Sequence, residues 1–111
     1  MTKRIALVTG GTGGIGTAIC RELAKAGYSV VANFYPPEQQ QAEAWLAEQQ
    51  AEYPQIHIAA ADVTDFDSCA EMVKSIENEL GPIDVLVNCA GITRDKTLKR
   101  MTPEQWHAVI D

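Results

Sequence analysis

The sequence predicts an α/β fold, a doubly wound parallel sheet, on three observations. Short apolar runs (IALV, SVVANF, IHIAAAD, IDVLVN) alternate with amphipathic stretches of helical period. A glycine cluster, TGGTGGIG at residues 9–16, follows the first run directly and opens the first helical stretch. The fourth run is apolar without interruption through Val85, Leu86 and Val87, as strands covered on both faces are.

Each element has its own signal. The first strand ends at Thr9, and from Gly14 the residues Ile15, Ala18, Ile19 and Leu23 recur at helical spacing until Gly27 stops the helix. Ser29–Phe34 reads as the second strand, broken by Pro36 and Pro37. Residues 38–50 then read as helix, with Ala42, Trp45, Leu46 and Gln49 toward the core. Residues 56–62 form a third strand. Asp65 can cap the next helix, Cys69, Met72, Val73, Ile76 and Leu80 trace its face, and Gly81-Pro82 ends it. The fourth strand occupies residues 83–88. Thr102, Pro103 and Gln105 have the pattern of a capped helix start, two turns of which precede Asp111. The sheet is therefore expected to be cut after strand 4 and the start of the next helix, leaving that strand's outer edge unpaired.

Composition excludes several function classes. One domain of ordinary globular composition spans residues 1–111, with 46% hydrophobic and 22% charged residues. A net charge of −6 is the wrong sign for a phosphate-backbone binder, so no nucleic-acid partner is expected. Lys3 and Arg4 precede only four apolar residues, too few for a signal peptide or a spanning helix, so a cytoplasmic protein without a membrane partner is expected. Cys20, Cys69 and Cys89 are widely spaced and read as buried free thiols, with no metal site. His57 and His107 have no partners at ligand or catalytic spacing.

The glycine cluster carries the chemistry. Between a strand and a helix, glycines let the backbone turn sharply and approach a ligand, while N–H groups at the helix start face an anion. A dinucleotide pyrophosphate suits that place. Two frames compete: Gly11, Gly13 and Gly16 spell G-x-G-x-x-G, and Gly10, Gly14 and Gly16 spell G-x-x-x-G-x-G. At the end of strand 2, where an Asp or Glu would hold a ribose 2′-OH and an Arg a 2′-phosphate, the sequence has Asn33. No Lys or Arg lies between Lys25 and Lys74, and Glu38 would repel a 2′-phosphate by roughly 3 kcal/mol at about 6 Å in an effective dielectric near 20. Either NADH or NADPH is the expected cofactor, with this loop favouring NADH; the alternative role for Glu38 is an ordinary N-terminal acid of the following helix. Asp62 and Val63 can meet an adenine edge, or Asp62 can cap the next helix. Asn88, Cys89, Ala90 and Gly91 end strand 4 with small residues beside strand 1; Cys89 reads as a small buried hydrophobe, with a nucleophile as the alternative.

Taken together, Thr9-Gly10…Gly14…Gly16, Asp62-Val63 and Asn88-Cys89-Ala90-Gly91 resemble the short-chain dehydrogenase/reductase family, whose motifs are T-G-x-x-x-G-x-G, D-V and N-N-A-G. The resemblance covers the whole chain and selects the Gly10 frame, making the Gly11 match incidental. Residues 91–95 (GITRD) and 100–111 (RMTPEQWHAVID) resemble its β-ketoacyl reductases, above all the acetoacetyl-CoA reductases of polyhydroxyalkanoate synthesis. It implies a Rossmann-like domain with Gly10, Gly13, Gly14, Ile15 and Gly16 at the cofactor phosphates. Asn33 and Gln40 (or Gln41) would stand near the adenosine ribose, and Ala61, Asp62 and Val63 at adenine. Cys89, Ala90, Gly91, Ile92 and Thr93 would line the nicotinamide ribose, and Asp95 the substrate. The implied partner is an acyl-CoA, and the implied full-length assembly is a homotetramer.

The resemblance also implies what this sequence lacks. Hydride transfer in the family uses a Ser and a Tyr-x-x-x-Lys pair, in which Tyr donates a proton and Lys lowers its pKa. Tyr28, Tyr35 and Tyr53 are followed four residues later by Ala32, Gln39 and His57, so no catalytic residue is assigned. The expected role is the N-terminal, cofactor-binding half of a longer reductase, inactive alone. Two alternatives stay open: a 3-oxoacyl carrier-protein reductase of fatty acid synthesis, and a non-catalytic NAD(P)-binding module.

Overall fold

A computed structural model describes residues 4–89 and the strand Arg100–Met101. Its elements are β1 (Ile5–Thr9), α1 (Gly14–Lys25), β2 (Ser29–Phe34), a 3-10 turn (Pro36–Glu38), α2 (Gln39–Gln50), β3 (Ile56–Ala60), α3 (Phe66–Glu79), β4 (Val85–Asn88) and β5 (Arg100–Met101). The sheet order is β3-β2-β1-β4-β5, with the first four strands parallel. Leu7 of β1 stands opposite Val31 on one side and Leu86 on the other, so β1 is central and buried throughout.

Successive residues of a strand face opposite ways, and the apolar runs use both faces. Leu7, Val31 and Leu86 pack with Cys69, Met72 and Ile76 of α3. Val8, Val30, Ala32 and Val87 pack with Cys20 and Ala24 of α1, bordered by Trp45 and Leu46 of α2. The sheet is thus wound on both sides. From β1 the chain proceeds to β2 and β3, then returns through α3 to β4, placing a topological switch point between β1 and β4. In such sheets the crevice at the carboxyl ends of the strands takes the ligand.

β3 ends at Ala60 and β4 begins at Val85, each two residues inside the expected strand, and the structure departs from the sequence pattern in three further places. On α1 the buried stripe is Gly16, Cys20 and Ala24, whereas Ile15 is 54% exposed and Ala18 is exposed too. Small residues win that face because the helix start lies against the backbone of Gly10 and Gly11. On α3, Leu80 ends the helix and is exposed, since Gly81 at φ +127° turns the chain away. The outer edge of β4 is not left bare: Arg100–Met101 pairs with it antiparallel, Met101 opposite Leu86 and Arg100 opposite Val87. The predicted helix start at Thr102 lies outside the described residues.

Candidate functional site

The turn between β1 and α1 is built from Gly10. It adopts φ +63°, a left-handed conformation open to glycine at little cost. Its N–H donates to the Asn33 side-chain oxygen at 3.1 Å, and the next N–H, of Gly11, donates to the Asn33 backbone carbonyl at 3.1 Å. Gly13 N–H closes the turn on the Gly10 carbonyl at 3.3 Å.

The glycines have different reasons to be there. A Cβ at Gly16 would sit 2.5 Å from the Gly10 oxygen, and one at Gly11 would sit 2.7 Å from the Ala32 Cβ. Both are demanded by packing of loop and helix onto the sheet. At Gly14 a Cβ would meet nothing within 4 Å among the described residues. Gly11 is therefore no coincidence of spelling, and sequence reasoning missed it; the signal was the small Ala32 facing it from β2.

Gly13 is the N-cap of α1 and has no side chain to offer, and no acidic residue occupies the first turn. The contrast is α3, where the Asp65 carboxylate accepts from the Asp67 and Ser68 N–H groups. That cap belongs to Asp65 and not to Asp62. The start of α1 therefore presents its dipole and N–H groups outward.

They face a cavity of about 1040 Å³ at the carboxyl end of the sheet. Gly10, Gly13, Gly14, Ile15 and Gly16 form one wall. Asn33, Phe34, Tyr35, Glu38, Gln41 and Trp45 form the second, and Ala61, Asp62, Val63, Thr64 and Cys89 the third. Of the two glutamines expected near the ribose, Gln41 lines the cavity and Gln40 does not. Among the described lining residues there is no Lys or Arg, and the two acids are Glu38 and Asp62. Arg21 is engaged elsewhere, pairing with Glu52 and donating to Gln49 at 2.9 Å, with its guanidinium 4.9 Å above the Tyr53 ring.

Asn33 is only 2% exposed, and its amide is occupied by the fold. While its oxygen holds Gly10, its nitrogen donates to the Ala61 carbonyl at 3.1 Å. It ties the glycine turn to the end of β3 and so joins two walls of the cavity. Asp62 sits half-buried, its Oδ1 accepting from the Thr64 hydroxyl at 2.6 Å and the Thr64 N–H at 3.0 Å. Those two bonds hold its carboxyl below the ordinary carboxylate range, so it is an anion at neutral pH. At the third strand end, the Thr9 hydroxyl donates to Asn88 Oδ1 at 2.8 Å and accepts from the Cys89 N–H at 3.1 Å, fixing β4 to β1 beside the cavity.

All three cysteines are buried free thiols. Burial pushes Cys89 up, and Cys20, also facing Cys89, is pushed up to about 12. A thiol held protonated this way is a poor nucleophile. Ala90, Gly91, Ile92, Thr93 and Asp95 lie outside the described residues.

Comparison with known proteins agrees with this fold. A family profile described as short chain dehydrogenase matches residues 4–111. An acetoacetyl-CoA reductase of Allochromatium vinosum is 57% identical over 108 residues, covering 97% of this chain and 44% of that one. The 3-oxoacyl-acyl-carrier-protein reductase FabG of Staphylococcus aureus is 44% identical over 111 residues, covering 100% of this chain and 44% of that one. Among solved structures, a variant of actinorhodin polyketide ketoreductase with NADPH superposes with a TM-score of 0.73 at 33% identity, over 82% of this chain and 35% of that one. The chain spans less than half the length of the curated relatives it matches.

Proposed function

Because the chain belongs to the short chain dehydrogenase family, we propose that it forms the cofactor-binding half of a nicotinamide-dependent reductase of 3-oxoacyl thioesters, with acetoacetyl-CoA reduced to 3-hydroxybutyryl-CoA. The observation that carries this reading is Gly14. Packing explains Gly11 and Gly16, but among the described residues no atom requires a glycine at Gly14, on the cavity side of an uncapped helix start. A group outside the chain accounts for it, and a pyrophosphate fits the polarity of the α1 N-terminus.

The walls fit the rest of a dinucleotide. Asp62, an anion at neutral pH, can accept from the adenine amine, while Val63 offers an apolar face to the ring. The lining between β2 and α2 suits an unphosphorylated ribose. A 2′-phosphate there would approach Glu38 with no Lys or Arg among the described lining residues to neutralise it. NADH is therefore the cofactor we assign. Bound in this cavity, it supplies the hydride for the ketone carbon. Asn88, held by Thr9, shapes the strand end where the nicotinamide ribose would rest. The sequence holds no Tyr-x-x-x-Lys pair, so we assign the proton donor to the remainder of a longer protein.

The substrate assignment follows the acetoacetyl-CoA reductase relative, and the carrier-protein reductase relative supports a second reading. Oxidation of NADH by the full-length protein, followed side by side with acetoacetyl-CoA and acetoacetyl carrier protein, separates them. Faster turnover of the CoA ester is the expected result. Preference for the carrier-protein ester would replace it with the second reading, and binding of NADH without turnover of either would leave a non-catalytic module.

A further inference from the structure

Trp45 is the one large aromatic side chain that α2 contributes to the cavity, and its polar edge is turned toward α1. The indole N–H donates to the Thr17 hydroxyl at 2.8 Å, and that hydroxyl donates onward to the Gly13 carbonyl at 2.6 Å. The same carbonyl accepts the Thr17 backbone N–H at 2.8 Å. One turn further along both helices, Arg21 donates to Gln49 at 2.9 Å. Thr17 and Arg21, like Trp45 and Gln49, are four residues apart, so the two contacts form successive rungs between α1 and α2.

The upper rung has a consequence beyond joining helices. The peptide from Gly13 to Gly14 is planar and trans, so its N–H points opposite to its carbonyl. Two donors from Thr17 hold the carbonyl along the helix, which directs the Gly14 N–H back out of the helix start. A hydroxyl that accepts from an indole also becomes a better donor, because linked hydrogen bonds polarise one another. We infer that Trp45 is a positioning residue, which through the Thr17 hydroxyl fixes the Gly13–Gly14 peptide for an anion in the cavity. This rests on the reading of the cavity as a dinucleotide site. The relay also joins the segment carrying Glu38 and Gln41 to the glycine turn, so ribose and pyrophosphate would be held in one frame.

The test is titration calorimetry of the full-length protein with ADP-ribose, which carries the pyrophosphate and lacks nicotinamide. W45F keeps an aromatic ring and removes the donor; T17V keeps the shape and removes the hydroxyl. Each is expected to weaken binding roughly three- to tenfold, the range of one hydrogen bond. The double variant is expected to lose no more than the worse single one, because both break the same relay. T17S, which retains the hydroxyl, restores affinity. A purely structural role would lower the melting temperature of W45F and T17V and leave the ADP-ribose dissociation constant unchanged, which overturns the inference. So does a double-variant loss equal to the product of the single losses. Failure of the unmodified protein to bind ADP-ribose would instead remove the cavity reading itself, and the inference with it.

Discussion

The Asn33 carboxamide oxygen and the Gly10 N–H meet at 3.1 Å across 23 residues of chain, joining the end of β2 to the turn after β1. The other end of that amide holds the Ala61 carbonyl, so one buried side chain on the second wall ties together the other two walls of the cavity. Removing it strands a half-buried donor at Gly10 and a buried acceptor at Ala61. Asn33→Ala is expected to destabilise the full-length protein by about 2–4 kcal/mol, counting both unsatisfied groups. Asn33→Asp is expected to do at least as much, because a carboxylate would face the Ala61 carbonyl. Denaturant unfolding checks both; a loss below about 1 kcal/mol for Asn33→Ala would rule out the bracing role.

Gly11→Ala and Gly16→Ala place a methyl group 2.5–2.7 Å from neighbouring atoms, mostly backbone at Gly16. Each is expected to cost about 1–3 kcal/mol through overpacking. Thermal melts of the two variants read this out, and wild-type melting temperatures would contradict it.

What the sequence disclosed and what it hid follow from the range of the interactions. Strand and helix periodicity is local, so β2, α2 and the Asp65 cap of α3 were legible, and so was the glycine turn. The face of α1 was not. Hydrophobicity pointed to Ile15 and Ala18, but the helix start lies so close to Gly10 and Gly11 that only small side chains fit. Asn33 could be placed at the cavity by position, yet its internal bonds depend on residues 23 and 28 positions away. The same holds for Trp45 and Thr17, whose contact spans 28 residues and has no sequence pattern of its own.

Glu38 and the absence of cations among the described lining residues set the expected cofactor choice. Glu38→Gln should raise kcat/KM with NADPH relative to NADH roughly fivefold, since Glu38 is exposed and solvent screens it. Glu38→Arg should raise the ratio further. Steady-state rates with both cofactors decide this, and an unchanged ratio in both variants would discard Glu38 as the discriminator.

Asp62 offers a pH test. Its folded-state pKa lies below the ordinary value because Thr64 donates twice to the ionised form. The unfolded chain therefore binds the proton more readily. The stability Asp62 contributes is present above its unfolded value near 3.9 and is lost as pH falls through the lower folded value. Asp62→Asn should thus be less stable than the parent at pH 6, with the gap closing in the acid range. Unfolding midpoints measured from pH 6 downward follow the gap; one that widens on acidification has the wrong sign.

Gly14 tests the central claim most directly. In Gly14→Ala of the full-length protein, the new methyl group enters open space, and alanine is the better helix former by roughly 0.5–1 kcal/mol. The melting temperature should be unchanged or raised, while the NADH dissociation constant should rise at least tenfold, about 1.4 kcal/mol. Undiminished NADH affinity in this variant would contradict the claim that the turn between β1 and α1 is built around a bound dinucleotide.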